Sequence, residues 1–243
     1  KNQVTPRVLF DFICNPIGHK NGIANFAPYG LRKLEASLLR DGYNPDDVVV
    51  AHPDYIEKFI GPETEVIGTY EMDPLGMGPV TMTFTFGRKT MSYDEFYNRD
   101  LHLRINSAKN RNGSKAKVIV GASGTWQYNY DPAKIEEYGI YGIVEGDLGG
   151  IGAELDGVGA RFFDAVINGE LDTSNPFKKS EFKVEIKEFV KSDRKYHGRF
   201  IHYSDEPSID EIPNIVKPSM HGMIEVMRGC GRGCKFCDVT LRP

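Results

Sequence analysis

The chain has 243 residues, 40% hydrophobic and 26% charged, which suits one or two domains with a buried core. A formal net charge of −4 gives no electrostatic reason to expect nucleic acid or an anionic membrane as partner. No apolar run approaches the roughly 20 residues of a membrane span, and the N-terminus lacks the basic-then-apolar layout of a signal peptide.

Apolar, β-branched runs alternate with helical patterns along the first 170 or so positions, the rhythm of a parallel α/β sheet. Residues 8–14 (VLFDFIC) read as a first buried strand, with Cys14 as a small buried hydrophobe at its end. Residues 29–40 place Leu31, Leu34, Leu38 and Leu39 on one helical face, and Gly42 closes that helix. Residues 48–51 form a second strand, after which His52-Pro53-Asp54 turns into a short helix bearing Tyr55, Ile56, Phe59 and Ile60. A third strand at 65–68 leads into a long loop over 72–79, and 81–86 alternates as a strand or a loop excursion.

Ser92 with Glu95 makes a capping box for a helix running to about Lys109 and burying Phe96, Leu103 and Ile105. A strand at 117–120, a helix at 132–138, a strand at 142–144 and a helix at 160–167 closed by Asn168-Gly169 complete the pattern. Five strands with intervening helices predict an α/β, doubly wound, Rossmann-like domain over 1–175. Beyond it, Phe182, Val184 and Ile186 alternate with charged residues and can pair with 199–203, giving a small β-hairpin and linker segment over 176–218. Residues 205–218 are acidic and punctuated by proline, and 221–228 read as a new strand opening a further unit at 219–243.

In a doubly wound sheet the ligand sits beyond the carboxyl ends of the strands. Four loops fall there: 15–24, 73–79, 121–127 and 145–152. Their glycines allow close backbone approach, and Ser123 and Thr125 can hydrogen-bond a ligand. The glycine-rich stretch 146–159 does not meet the G-x-G-x-x-G register, and no G-x-x-x-x-G-K-[ST] run occurs, so nucleotide binding is not expected.

Three of the four cysteines lie within eight residues, Cys230, Cys234 and Cys237, spaced C-x3-C-x2-C. Structural zinc takes four protein ligands, and a [4Fe–4S] cluster usually takes four cysteines. Three thiolates therefore leave one iron of a cluster open, or make a zinc site with His221 as the fourth ligand. Arg232 and Lys235 lower the thiol pKa values and favour ligation. Such a cluster points to a reducing compartment, the cytoplasm, rather than a disulfide framework.

The motif, with Phe236 just before the last cysteine, resembles that of the radical S-adenosylmethionine (SAM) superfamily, and 223–237 (MIEVMRGCGRGCKFC) is similar to its barrel entrance. The runs PYGLRKLE at 28–35, DVVVAH at 47–52, MDPLGMGP at 72–79, VIVG at 118–121 and VEG at 144–146 resemble the subgroup carrying an N-terminal cobalamin-binding domain. The resemblance implies a vitamin B12 domain followed by a radical SAM (β/α) barrel, of which this sequence holds only the first strand and the cluster loop. Such a piece is expected to be inactive, with an empty corrin site.

It further implies three cofactors: a [4Fe–4S] cluster on Cys230, Cys234 and Cys237, SAM on the open iron, and cobalamin, with Phe236 against the cluster or the SAM adenine, or else a core aromatic. The corrin contacts it suggests are Gly76, Met77, Gly78, Gly121, Ser123, Gly124, Thr125, Glu145 and Gly146, with Trp126 either beside the ring or in loop packing. His19 sits in the loop where many B12 domains carry a cobalt-binding histidine. Position 17 is Ile17 rather than the orienting aspartate, so His19 is expected as an exposed loop residue.

The activity implied is methyl transfer to an unactivated carbon of a small molecule or a peptide side chain. SAM cleavage by an electron from the cluster supplies the radical that activates that carbon, and methylcobalamin supplies the methyl group. The enzyme would need an external electron donor and no nucleic acid or membrane partner. The alternatives are a radical SAM protein of other activity whose B12-like domain only positions substrate, and a non-catalytic zinc-binding module.

Overall fold

The computed structural model describes residues 6–14, 17–145, 158–169, 184–185, 190–191, 194–195, 200–203 and 213–223. Three parallel strands form its centre: β3 (Val66–Tyr70), β4 (Lys117–Gly121) and β5 (Ile140–Glu145). The short strands β1 (His19–Lys20) and β2 (Ile23–Ala24) precede them as a separate antiparallel hairpin. Further along the chain come β6 (Val184–Glu185), β7 (Val190–Lys191), β8 (Arg194–Lys195) and β9 (Phe200–Tyr203).

The sheet runs in the order β3-β4-β5-β9-β6. β9 lies parallel to β5, and β6 pairs antiparallel with β9 through Val184 opposite Tyr203. The pairing expected between 182–186 and 199–203 is therefore present, and it extends the main sheet. β7 and β8 form their own small hairpin.

Strands buried on both faces read as continuous apolar runs, and VIV in β4 is such a run. Its alternation sorts the helices. Val118 packs with Ile67 of β3 and with Ile105 and Ala108 of helix α4 (Tyr93–Asn112). Val120 packs with Ile143 and with Ile135 of helix α5 (Ala133–Glu137) on the same face. Ile119 points the other way, against Leu38 of helix α2 (Tyr29–Arg40) and Phe162 and Val166 of helix α6 (Val158–Asn168). Full burial of each such side chain contributes about 1.5–3 kcal/mol.

Helix α4 starts where its capping box places it. Ser92 Oγ accepts a hydrogen bond from the Glu95 amide at 3.1 Å, and Gly113, at φ 68°, ends it in the left-handed conformation. Its buried stripe is His102, Ile105 and Ala108, spaced by three. Leu103, two positions from Ile105, projects outward at 42% exposure instead of the expected burial, and Phe96 is half-buried.

Several expectations are corrected. Residues 8–14 are not a strand; Arg7–Ile13 form a helix, α1. The Pro6 carbonyl accepts from the Leu9 and Phe10 amides at 3.0 Å each, and the Phe10 ring stacks on Tyr93 at 3.9 Å between centroids. Cys14 is exposed rather than buried. Residues 48–51 join no ladder; Ala51 makes only an isolated bridge to Ile23. Residues 81–86 fall largely in a short helix, α3 (Pro79–Phe84), because Pro79 at its first turn fixes φ and forfeits no helical hydrogen bond. Met220–Gly222 form a 3-10 turn with His221 at φ 58°, so the strand expected from 221 does not begin there. The remainder of that strand, from 224, lies outside the described residues.

Candidate functional site

Strands β3 and β4 end side by side, and their loops are tied together immediately beyond the ladder. The Glu71 amide donates to the Gly121 carbonyl and the Gly124 amide to the Glu71 carbonyl, both at 2.9 Å. One buried side chain then shapes the loop over 72–79. Gln127, 1% exposed, accepts from the Leu75 amide at 2.8 Å and the Met77 amide at 3.4 Å, while its Nε2 donates to Asp73 Oδ1 at 2.6 Å. The same carboxylate oxygen accepts from the Gly78 amide at 2.8 Å. Two of the four expected ligand loops therefore share one edge of the sheet and one network.

The glycines expected to face a ligand mostly face protein. A Cβ on Gly124 would lie 2.4 Å from the Met72 carbonyl oxygen, one on Gly78 2.9 Å from Asp73, and one on Gly76 2.9 Å from Ser92 Oγ. Thr125 is buried and donates to the Ala122 carbonyl at 3.1 Å. Met77 is half-buried against the core holding Leu75, Val120 and Tyr128. Gly121 closes β4 with nothing nearer its absent Cβ than the Thr69 carbonyl at 4.0 Å.

The accessible rim of this edge consists of Met72, Ser123, Trp126 and Tyr130. Ser123 is exposed and its hydroxyl lies 3.3 Å from the Met72 sulfur. Trp126 meets Tyr130 edge-to-face at 5.6 Å, and both are exposed. Beside them Ala122 holds φ 88°, a left-handed backbone conformation that is strained for a residue with a Cβ.

Glu145 ends β5, but its side chain, Gly146, Phe236 and Cys230, Cys234 and Cys237 lie outside the described residues. Among the described residues no group of three or more His, Cys, Asp or Glu is arranged to hold a metal ion. His221, the alternative zinc ligand, is exposed.

A second network beneath the same edge escaped the sequence reading. Glu71 accepts from Tyr128 OH at 2.6 Å and Thr69 Oγ1 at 2.9 Å, and its Oε1 lies 2.6 Å from His102 Nε2. Glu71, His102 and Tyr128 are all buried, and His102 stacks on Tyr138 at 4.9 Å with 7° between the rings. Burial first, then the Glu71 charge, holds the Tyr128 hydroxyl far above the ordinary phenol range, so it stays a donor. With the ring proton of His102 on Nε2, facing the carboxylate, Nδ1 is left as a bare acceptor without a partner. Because Glu71, Tyr128 and His102 are 4% exposed or less, the cluster fixes the edge from below and does not meet solvent. A detectable signal existed: His102 falls on the Ile105–Ala108 face of an otherwise polar helix.

His19 is exposed at the β1–β2 hairpin, its ring tilted 45° against Tyr55 with centroids 4.1 Å apart. Its Nδ1 accepts from the Gly22 amide at 3.2 Å, which places the neutral ring's proton on Nε2 and leaves no free nitrogen for a metal in this arrangement. His52, buried, caps the 3-10 helix Pro53–Phe59 in the same way, accepting from the Asp54 amide.

No protein-family model, curated protein or solved structure matches the chain. No helix among the described residues is long and apolar enough to cross a membrane. What stands is a mixed α/β fold with three consecutive parallel strands, compatible with a Rossmann-like arrangement, and loops gathered at their carboxyl ends.

Proposed function

We propose that the chain is the N-terminal part of a cobalamin-binding radical SAM enzyme that methylates an unactivated carbon, on a peptide side chain or a small molecule. The observation that carries this reading is the C-x3-C-x2-C spacing of Cys230, Cys234 and Cys237, which leaves one iron of a cubane cluster without a protein ligand. When bound, the cluster supplies the electron that cleaves SAM, and methylcobalamin supplies the methyl group. The gathering of the 72–79 and 121–127 loops at the carboxyl edge supports a ligand-holding role, since that is where parallel α/β sheets take their ligands.

The residues present fit a corrin only in part. Met72, Ser123, Trp126 and Tyr130 offer an accessible, largely aromatic and thioether rim, with a hydroxyl able to reach an amide arm. Gly76, Gly78, Gly124 and Thr125 are already used inside the protein. That internal use favours a second reading, in which the sheet domain carries no corrin and positions the substrate.

The test is anaerobic purification of the chain together with its continuation beyond Pro243. The proposal expects iron and sulfide in near-equal amounts, a dithionite-bleachable visible spectrum, and 5′-deoxyadenosine formed from SAM, all lost in Cys230→Ala, Cys234→Ala and Cys237→Ala. Bound cobalt with corrin absorbance separates the first reading from the second. One zinc per chain and no SAM cleavage would leave neither standing.

A further inference from the structure

The run 28–35 carries part of the family resemblance, yet none of it belongs to the candidate ligand loops. Its two most conspicuous members are buried charges on α2. Arg32 is 0% exposed and uses every nitrogen of its guanidinium: Nη1 donates to Glu35 Oε2 at 2.7 Å, Nη2 to the Ala24 carbonyl at 2.9 Å, and Nε to the Pro218 carbonyl at 3.0 Å. Glu35 turns its other oxygen to Lys217 Nζ at 2.6 Å. Charged helix residues are ordinarily solvated, and a buried arginine persists only when its hydrogen bonds are satisfied. Here two of those partners, Pro218 and Lys217, come from more than 180 positions later in the chain.

The backbone completes the contact. The Met220 amide donates to the Ala27 carbonyl at 2.8 Å, and Ser219, 3% exposed, forms a parallel bridge with Ala27. Ser219 Oγ in turn donates to the Met223 carbonyl at 2.7 Å, closing the 3-10 turn. The first turn of α2 sits against the end of β3, where a Cβ on Gly30 would come within 2.8 Å of the Tyr70 ring. The docked stretch thus lies against the helix whose first turn meets the end of β3. Cys230 follows Met223 by seven Cα-to-Cα steps, so covalent geometry alone keeps that cysteine within about 25 Å of the docked turn.

We infer that the first turns of α2 form a socket for residues 217–220, and that Arg32 and Glu35 are positioning residues that fix where the cysteine-bearing segment leaves the sheet. The docking stands on the contacts above. The step from docking to cofactor geometry rests on the function proposed above. Arg32 reads a proline carbonyl, a strong acceptor on a residue with no amide of its own, and Glu35 reads the preceding ammonium.

The experiment uses Lys217→Gln, whose side chain is 44% exposed in the parent, and Glu35→Gln as a second variant. In the 243-residue chain, backbone hydrogen exchange at Met220 should accelerate by about tenfold or more in both, while Val118 and Val120 keep their protection. Unchanged protection at Met220 overturns the docking. In the full-length protein loaded anaerobically with cob(II)alamin and with the cluster reduced by one electron to its paramagnetic state, cluster content should equal the parent's while the pulsed-EPR distance distribution between the two paramagnets broadens. A distribution identical to the parent's overturns the positioning role, which a merely structural contact would also leave unmoved. If the parent binds neither cofactor, the proposed function fails, and the exchange measurement alone decides the docking.

Discussion

Replacing Gln127 by leucine tests whether one amide side chain shapes the loop over 72–79. The substitution keeps the volume and removes both polar ends. Leu75, 1% exposed, would lose the acceptor of its amide. Stranding a buried amide, together with losing the donor to the Asp73 carboxylate, costs about 2–4 kcal/mol. For a chain of this size that is a fall in Tm of roughly 5–15 °C. Calorimetry reads the total, and amide exchange at Leu75 and Gly78 reads the place, since Gly78 shares the Asp73 oxygen. A Tm within about 2 °C of the parent, with Leu75 still protected, would refute the reasoning.

Two further substitutions probe the edge and the charge pairs. Gly124→Ala drives a methyl into the Met72 carbonyl and should destabilise by about 1–3 kcal/mol in chemical denaturation, whereas Gly68→Ala, with open space around it, should stay within about 0.5 kcal/mol. Equal effects at the two positions would contradict the close approach. The Arg104 guanidinium, gripping Glu57 through both oxygens at 2.6 and 2.7 Å, holds that carboxyl below its ordinary range. A lowered carboxyl stabilises above the ordinary glutamate pKa of about 4.3, and the effect fades as pH falls through the lowered value. Glu57→Gln should therefore cost at most about 1 kcal/mol at pH 7, because the pair is partly exposed, and nothing near pH 2. A loss that is the same at both pH values would show that the pairing is not its source.

The sequence made the regular parts of the fold legible because their signals are local. Residues 29–40 and the Ser92–Glu95 start announced α2 and α4, and the apolar runs at 65–68, 117–120 and 142–144 announced three strands, which the structure places at 66–70, 117–121 and 140–145. Residues 8–14 did not, since a seven-residue apolar run fits a helix or a strand equally and only its stacking on Tyr93 decides. Residues 81–86 misled by alternation, although Pro79 marked a helix start.

At the candidate site the loops were found from strand order, and the clamp was not. Gln127, Glu71, Arg32 and Glu35 are polar residues in unremarkable company, and what makes them matter is burial among partners distant in sequence. Burial of that kind is a property of the packed chain, invisible to periodicity.

The placement of β9 beside β5 bears on how this protein is divided. A chain stopped near residue 175, where the texture of the sequence changes, would strip Ile143, Val144 and Glu145 of their hydrogen-bonded neighbour. The bared edge would then recruit any extended polypeptide, including its own kind, and favour clumping. Anyone wanting the sheet half by itself should carry the polypeptide through Tyr203.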